Sequence, residues 1–163
     1  MTGKLRCSAS AMTAAAIAAL ALSALPMTAS AEVIAPNAVK VADGTIAKSL
    51  TGKAGDAAAG KKTFVGRKLG NCLACHANKD TSDQQFHGEV GPALDGVAGR
   101  YDAAALRAII VNAKAVFGDA TLMPAFYRTA GLNRVAKKFK GKTILTAQQV
   151  EDILAYLLTL KDE

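Results

Sequence analysis

Asn71-Cys72-Leu73-Ala74-Cys75-His76 is the stretch on which the reading of this chain turns. Two thiols stand three positions apart and an imidazole follows the second, the C-x-x-C-H pattern of covalent c-type haem attachment. The spacing has a chemical reason. Two sulfurs must reach two vinyl groups on one side of a rigid macrocycle, while the next residue turns a ring nitrogen onto the iron. Cys72 and Cys75 are therefore the candidate attachment points and His76 the candidate proximal ligand. Two other chemistries use a C-x-x-C. A thioredoxin-like redox pair belongs in a βαβ setting, and half of a structural zinc site needs a second ligand pair elsewhere.

The residue inventory narrows these choices. The 163-residue chain carries three Cys, two His and four Met. Residues 1–31 read as a secretory signal, with Lys4 and Arg6 at a basic start, an apolar run from Ala9 to Leu25, and Ala29-Ser30-Ala31 as an A-x-A cleavage site. The apolar run is short for a membrane-spanning helix, and the small-residue site follows it closely. Cys7 precedes the run, which argues against a lipid-modified N-terminus. Cleavage before Glu32 leaves Cys72, Cys75, His76, His87 and a single methionine, Met123. No third cysteine then remains for a disulfide framework or a zinc cage. Export to the periplasm also suits haem attachment, which takes place outside the cytoplasm. Losing Lys4 and Arg6 lowers the formal net charge from +7 to +5. That basic balance favours acidic partners or anionic substrates; without an aromatic-interleaved patch it does not argue for nucleic acid.

The mature chain divides into an N-terminal arm, residues 32–54, and a domain over residues 55–163. The arm scatters Val33, Ile34, Val39, Val41, Ile46 and Leu50 among Pro36, Gly44 and Gly52, with no helical period. It is expected to be poorly ordered, or to lay its aliphatics on a partner subunit. Asp56 caps a first helix, in which Gly60 and Phe64 share one face and suit a close helix crossing. Gly66 and Gly70 let the chain turn into the cysteine motif. A polar, irregular run follows to Val90. His87 within it could be a second axial ligand, although a lone loop histidine is ordinarily solvated or bonded locally. A ligating histidine commonly donates its other ring N–H to a backbone carbonyl, and Pro92 is the candidate to supply it.

Asp102 caps a second helix, with Leu106, Ile109, Ile110 and Ala113 toward the core and Gly118-Asp119 at its end. Thr121-Leu122-Met123-Pro124 comes next. Pro124 keeps Met123 out of helical geometry, on an extended loop able to approach the far side of a haem. A single Met is most simply core filler. Yet iron held by one histidine has an open position, and Met123 is the candidate to fill it. From Arg128 to Lys142 the cations Arg128, Arg134, Lys137, Lys138, Lys140 and Lys142 make a solvated face, a docking surface or a partner for haem propionates. The last helix opens on a Thr146–Gln149 capping box and presents Val150, Ile153, Leu154, Leu157 and Leu158, with Tyr156 at the edge of that stripe. It should close on the first helix at Gly60. So small a domain buries little core alone, leaving the haem to supply much of the apolar interior.

An all-α order of three helices, with a haem loop between the first two and a Met loop before the last, resembles a class I cytochrome c. A narrower resemblance spans nearly the whole mature chain. Ser49-Leu50-Thr51-Gly52 with Gly55-Asp56, the cysteine motif, Phe86-His87-Gly88-Glu89-Val90-Gly91-Pro92-Ala93-Leu94, Gly99-Arg100-Tyr101, Leu106-Arg107, Met123-Pro124-Ala125-Phe126 and Ile144-Leu145-Thr146 resemble SoxX, the monohaem cytochrome subunits of the bacterial thiosulfate-oxidising Sox system. That resemblance implies one covalent haem c and a periplasmic heterodimer with a SoxA-type cytochrome subunit. It implies a complex that couples thiosulfate to a cysteine of a carrier protein and releases two electrons. The sulfur chemistry would belong to the partner, and no catalytic residue to this chain, which would pass electrons to a soluble cytochrome c. With His76 and Met123 both on iron, no site is left for substrate. A free, diffusible electron carrier and a haem enzyme or gas sensor with an open sixth position are the competing functions.

Overall fold

A computed structural model describes residues 1–3 and 32–161. Beyond its first three residues, the signal-peptide reading falls outside the described residues. Four helices form among those residues, α1 (Ala57–Val65), α2 (Val97–Arg100), α3 (Ala103–Phe117) and α4 (Ala147–Leu157), joined by loops with short 3-10 turns. The three long helices begin where their caps are written. Asp56 accepts from the Ala59 amide at 2.9 Å and Asp102 from the Ala105 amide at 2.8 Å. The Thr146–Gln149 box closes in both directions. The one-turn α2 has no expectation behind it: four residues, with Gly96 at its cap and Gly99 within it, are too few for any hydrophobic period to show. No described helix is long and apolar enough to cross a membrane.

The α1–α4 crossing brings backbone against backbone. A Cβ on Gly60 would collide with the Asp152 carbonyl oxygen and lie 2.9 Å from the Tyr156 Cβ; one on Gly55 would collide with the Glu151 carbonyl. The approach lets Phe64 meet Tyr156 edge to face, with ring centroids 5.3 Å apart. Tyr156 therefore sits in the buried contact, 3% exposed, and not at the edge of the stripe as the pattern suggests. Leu106, Ile109, Ile110 and Ala113 of α3 are buried as expected, and Ala108 and Val111 join them. A break at Asn112 (φ −157°, ψ 80°) interrupts α3. Beside it the Ile110 and Val111 carbonyls accept the Phe126 and Tyr127 amides at 3.3 and 3.2 Å.

The N-terminal arm is tied down on the chain's own core at its C-terminal end, while Val33 stays 54% exposed and Ile34, Val39 and Val41 are only partly covered. Ile46 and Leu50 enter the chain's own core, at 6% and 0% exposure. The Ile34 amide donates to the Leu50 carbonyl at 2.8 Å, and the Tyr127 hydroxyl donates to the Ile34 carbonyl at 2.8 Å. A buried ion pair completes the attachment. Arg107 Nε lies 2.9 Å from Glu151 Oε1 and Nη2 lies 3.1 Å from Oε2, while Nη1 donates to the Ile46 carbonyl at 2.8 Å. Glu151 Oε1 also accepts the Leu50 amide at 2.8 Å. One pair thus joins arm, α3 and α4.

Removing one member of a hydrogen-bonded buried pair strands the other charge. Arg107→Leu is expected to cost about 3–5 kcal/mol in urea unfolding. Arg107→Leu with Glu151→Leu should recover only part of that loss, because the Leu50 amide and Ile46 carbonyl stay unpartnered.

Candidate haem site

After α1 the chain reverses. Gly70 and Asn71 donate back to the Thr63 and Gly66 carbonyls, each at 3.1 Å, and Asn71 takes a left-handed conformation (φ 51°) that asparagine tolerates. A 3-10 turn, Cys72–Ala74, follows and closes with the Cys75 amide on the Cys72 carbonyl at 3.1 Å. In such a turn positions three apart lie nearly eclipsed, so the motif brings its two sulfurs to one side. Both thiols are free and half-buried. Burial pushes the Cys72 thiol up to about 12, so unmodified it is a poor thiolate. The motif's setting is helical, with no βαβ unit among the described residues, unlike that of a thioredoxin-like pair. No group of three or more His, Cys, Asp or Glu that could hold a metal ion occurs among those residues.

His76 Nδ1 lies 2.7 Å from the Pro92 carbonyl oxygen. A carbonyl only accepts, so Nδ1 carries the proton and the Nε2 lone pair is free. A Cβ on Gly91 would stand 2.7 Å from His76 Nδ1, so only glycine lets this strand of chain lie on the ring. Gly88 fits against the Ala74 carbonyl in the same way. Three bonds then run between the two segments: Gly88 to Leu73, Gly91 to Cys75, and Leu94 to Ala77, at 2.8, 2.8 and 2.9 Å.

His87 is spent elsewhere. Its Nδ1 accepts the Asn78 amide at 3.2 Å and its Nε2 donates to the Thr81 carbonyl at 3.0 Å, so no ring nitrogen remains for iron. Met123 is half-buried against the core. Lys114 Nζ reaches the Thr121 carbonyl at 2.6 Å on one side of it, and the Phe126 and Tyr127 amides hold α3 on the other. The basic run stays solvent-facing, except that Arg128 folds back onto the Ala130 and Gly131 carbonyls at 2.7 and 3.1 Å. A free Nε2 following two free thiols on one turn, covered by the segment of Gly88 and Gly91, is a donor set that fits a covalently attached haem.

The cytochrome c family model matches residues 57–161. Among solved structures, the chain is similar to the crystal structure of SoxXA from P. pantotrophus at 41% identity and a TM-score of 0.73, covering 78% of this chain and 98% of that one. The chain belongs to the cytochrome c family, as a SoxX-type member. The c-type cytochrome SorU from Sinorhizobium meliloti matches at 26% identity and a TM-score of 0.42, over 65% of this chain and 91% of that one. No match was found among curated proteins. The fold is thus that of a class I cytochrome c, and the family carries haem c covalently.

This cytochrome also holds a polar network just beyond His76 that its sequence did not disclose. The Tyr156 hydroxyl donates to Asp80 Oδ2 at 2.7 Å and accepts from Asn78 Nδ2 at 2.8 Å. Lys61 Nζ lies 3.0 Å from the same Asp80 oxygen. The Tyr156 bond, followed by the Lys61 contacts, holds the Asp80 carboxyl below its ordinary value of 3.8. Burial, then Asp80, pushes the Tyr156 hydroxyl well above the usual range. A carboxyl whose folded value is depressed stabilises the fold above its unfolded pKa and ceases to do so as pH falls through the folded one. Asp80→Asn should therefore lower stability at neutral pH and make the decline below about pH 4 shallower, as read by unfolding midpoints across pH.

Proposed function

We propose that this cytochrome is the electron-transfer subunit of a periplasmic thiosulfate-oxidising complex, with His76 and Met123 as axial ligands and Cys72 and Cys75 as thioether anchors. The 2.7 Å contact of His76 Nδ1 with the Pro92 carbonyl carries the reading, because it fixes the tautomer that leaves Nε2 as a donor. When bound, the haem supplies a one-electron redox centre. Cys72 and Cys75 hold it in place whatever its oxidation state. Pro92 orients the imidazole and strengthens it as a donor. Met123 would hold the group from the other side, exclude small molecules, and raise its potential relative to two nitrogen ligands, which suits an electron acceptor.

Similarity to the SoxXA structure supports a SoxA-type partner. On this reading the partner performs the sulfur chemistry with the carrier-protein cysteine, since both mature cysteines here are committed to haem. The chain then passes electrons to a soluble cytochrome c, one at a time, and is exported with residues 1–31 removed. A second reading, a free-standing diffusible carrier, draws support from the arm: Ile46 and Leu50 are already buried in the chain's own core and do not require a partner.

Met123→Ala is expected to keep haem attached, lose the weak sulfur-to-iron absorption band, bind carbon monoxide when reduced, and lower the potential. An unchanged potential and spectrum would refute Met123 ligation. Cys72→Ala should impair attachment. Pull-down of the mature protein from periplasm should bring a second haem-staining chain; recovery of the cytochrome alone favours the free carrier.

A further inference from the structure

The Pro92 carbonyl sets the direction of the His76 ring, but the ring is carried on a main chain that must itself be held. Two positions on, Asn78 is 1% exposed and every polar atom it has is partnered. Its amide donates to His87 Nδ1 at 3.2 Å and its Nδ2 to the Tyr156 hydroxyl at 2.8 Å. Its Oδ1 accepts the Asp80 amide at 3.0 Å, and its carbonyl accepts from the Thr81 amide and hydroxyl at 3.2 and 3.0 Å. A buried network so fully satisfied specifies a single arrangement, and losing any member strands a buried polar group.

Two of these partners reach in from elsewhere. Tyr156 belongs to α4 and its ring packs on Phe64 of α1, so its hydroxyl ties the helix crossing to the chain just past His76. His87 belongs to a loop whose residues Ser82 to Phe86 are all exposed. An amide can only donate and a carbonyl only accept, so His87 is the Nε2–H tautomer, bridging Asn78 to Thr81.

We propose that Asn78 is a positioning residue for the axial histidine, clamped from one side by Tyr156 and from the other by His87. The proposal rests on His76 being the ligand. Around the clamp the chain is also anchored by the Lys79 amide on Asp95 Oδ1 at 2.8 Å, by Leu94 on the Ala77 carbonyl at 2.9 Å and by the His76 amide on the Cys72 carbonyl at 3.0 Å, so Asn78 is the one side-chain hub within this short stretch and slack there reaches His76 through Ala77 alone.

The test uses the holocytochrome. Tyr156→Phe keeps the ring on Phe64 and removes only the hydroxyl. His87→Phe keeps a planar ring and removes both nitrogens, and His87→Gln restores one acceptor and one donor. The haem methyl proton shifts of the oxidised protein report the angle of the axial imidazole plane, and amide exchange reports the clamp. Both Phe variants should redistribute the methyl shifts and speed Asn78 exchange about tenfold, with α3 amides unchanged. His87→Gln should move both readouts back toward the parent. Methyl shifts identical to the parent in both Phe variants, while His76→Ala alters them, would overturn the clamp alone. A His76→Ala protein that keeps the parental pattern would overturn the ligation reading and the proposal with it.

Discussion

The contact of Gly60 with the Asp152 carbonyl governs the rest of this cytochrome. α1 leads directly into the cysteine motif, and α4 follows the Met123 loop, so their crossing holds together the two chain segments proposed to flank the haem. Glycine inside a helix costs about 1 kcal/mol relative to alanine. Here that cost is offset by the close approach, which buries Phe64 and Tyr156 against each other and gives the crossing a fixed depth. A methyl at Gly60 would push α4 outward and carry Tyr156, with its grip on Asn78, away from the haem segment.

Consecutive residues of α4 distribute that fixed depth to the whole chain. Glu151 takes Arg107 of α3 and the Leu50 amide of the arm. Asp152 accepts the Asp56 amide, at the cap of α1, at 2.9 Å. Ile153 and Leu154 enter the core, and Tyr156 reaches Asn78 and Asp80. A purely apolar α4 could slide along α1 by a turn with little penalty. Buried carboxylates whose partners sit on other elements penalise every other register, and that gain in specificity is the best physical reason for keeping charges in so small a core.

Features carried by local chemistry were legible in the sequence. Asp56, Asp102 and Thr146 cap their helices because a cap is a matter of three or four residues, and the close crossing at Gly60 could be read from a small residue one turn from an aromatic. Features carried by distant pairing were not. Arg107 and Glu151 look like surface charges until each is seen to be the other's partner. Ile46 and Leu50 lie in a stretch without periodicity, because the arm wraps over the core as single anchors and presents no continuous face. The break at Asn112 has neither proline nor glycine to announce it. Asn78 is an ordinary loop residue on paper; only the folding of α4 across the haem segment makes it a buried hub.

The two proposed ligands are held by means of unequal stiffness. On the His76 side, three backbone bonds, a glycine strand on the ring and a buried side-chain network act within a few residues of the imidazole. On the Met123 side, the loop is strung between the Lys114 ammonium at Thr121 and two long amide bonds at Phe126 and Tyr127, with Leu122 80% exposed between them. Local opening follows the density of buried contacts, so the Met123 loop belongs to the less stable part of the fold. On the proposed ligation, thermal motion or a docking partner that loosens this cytochrome would then act first on the Met123 thioether, while the imidazole and the two tethers keep the haem in place.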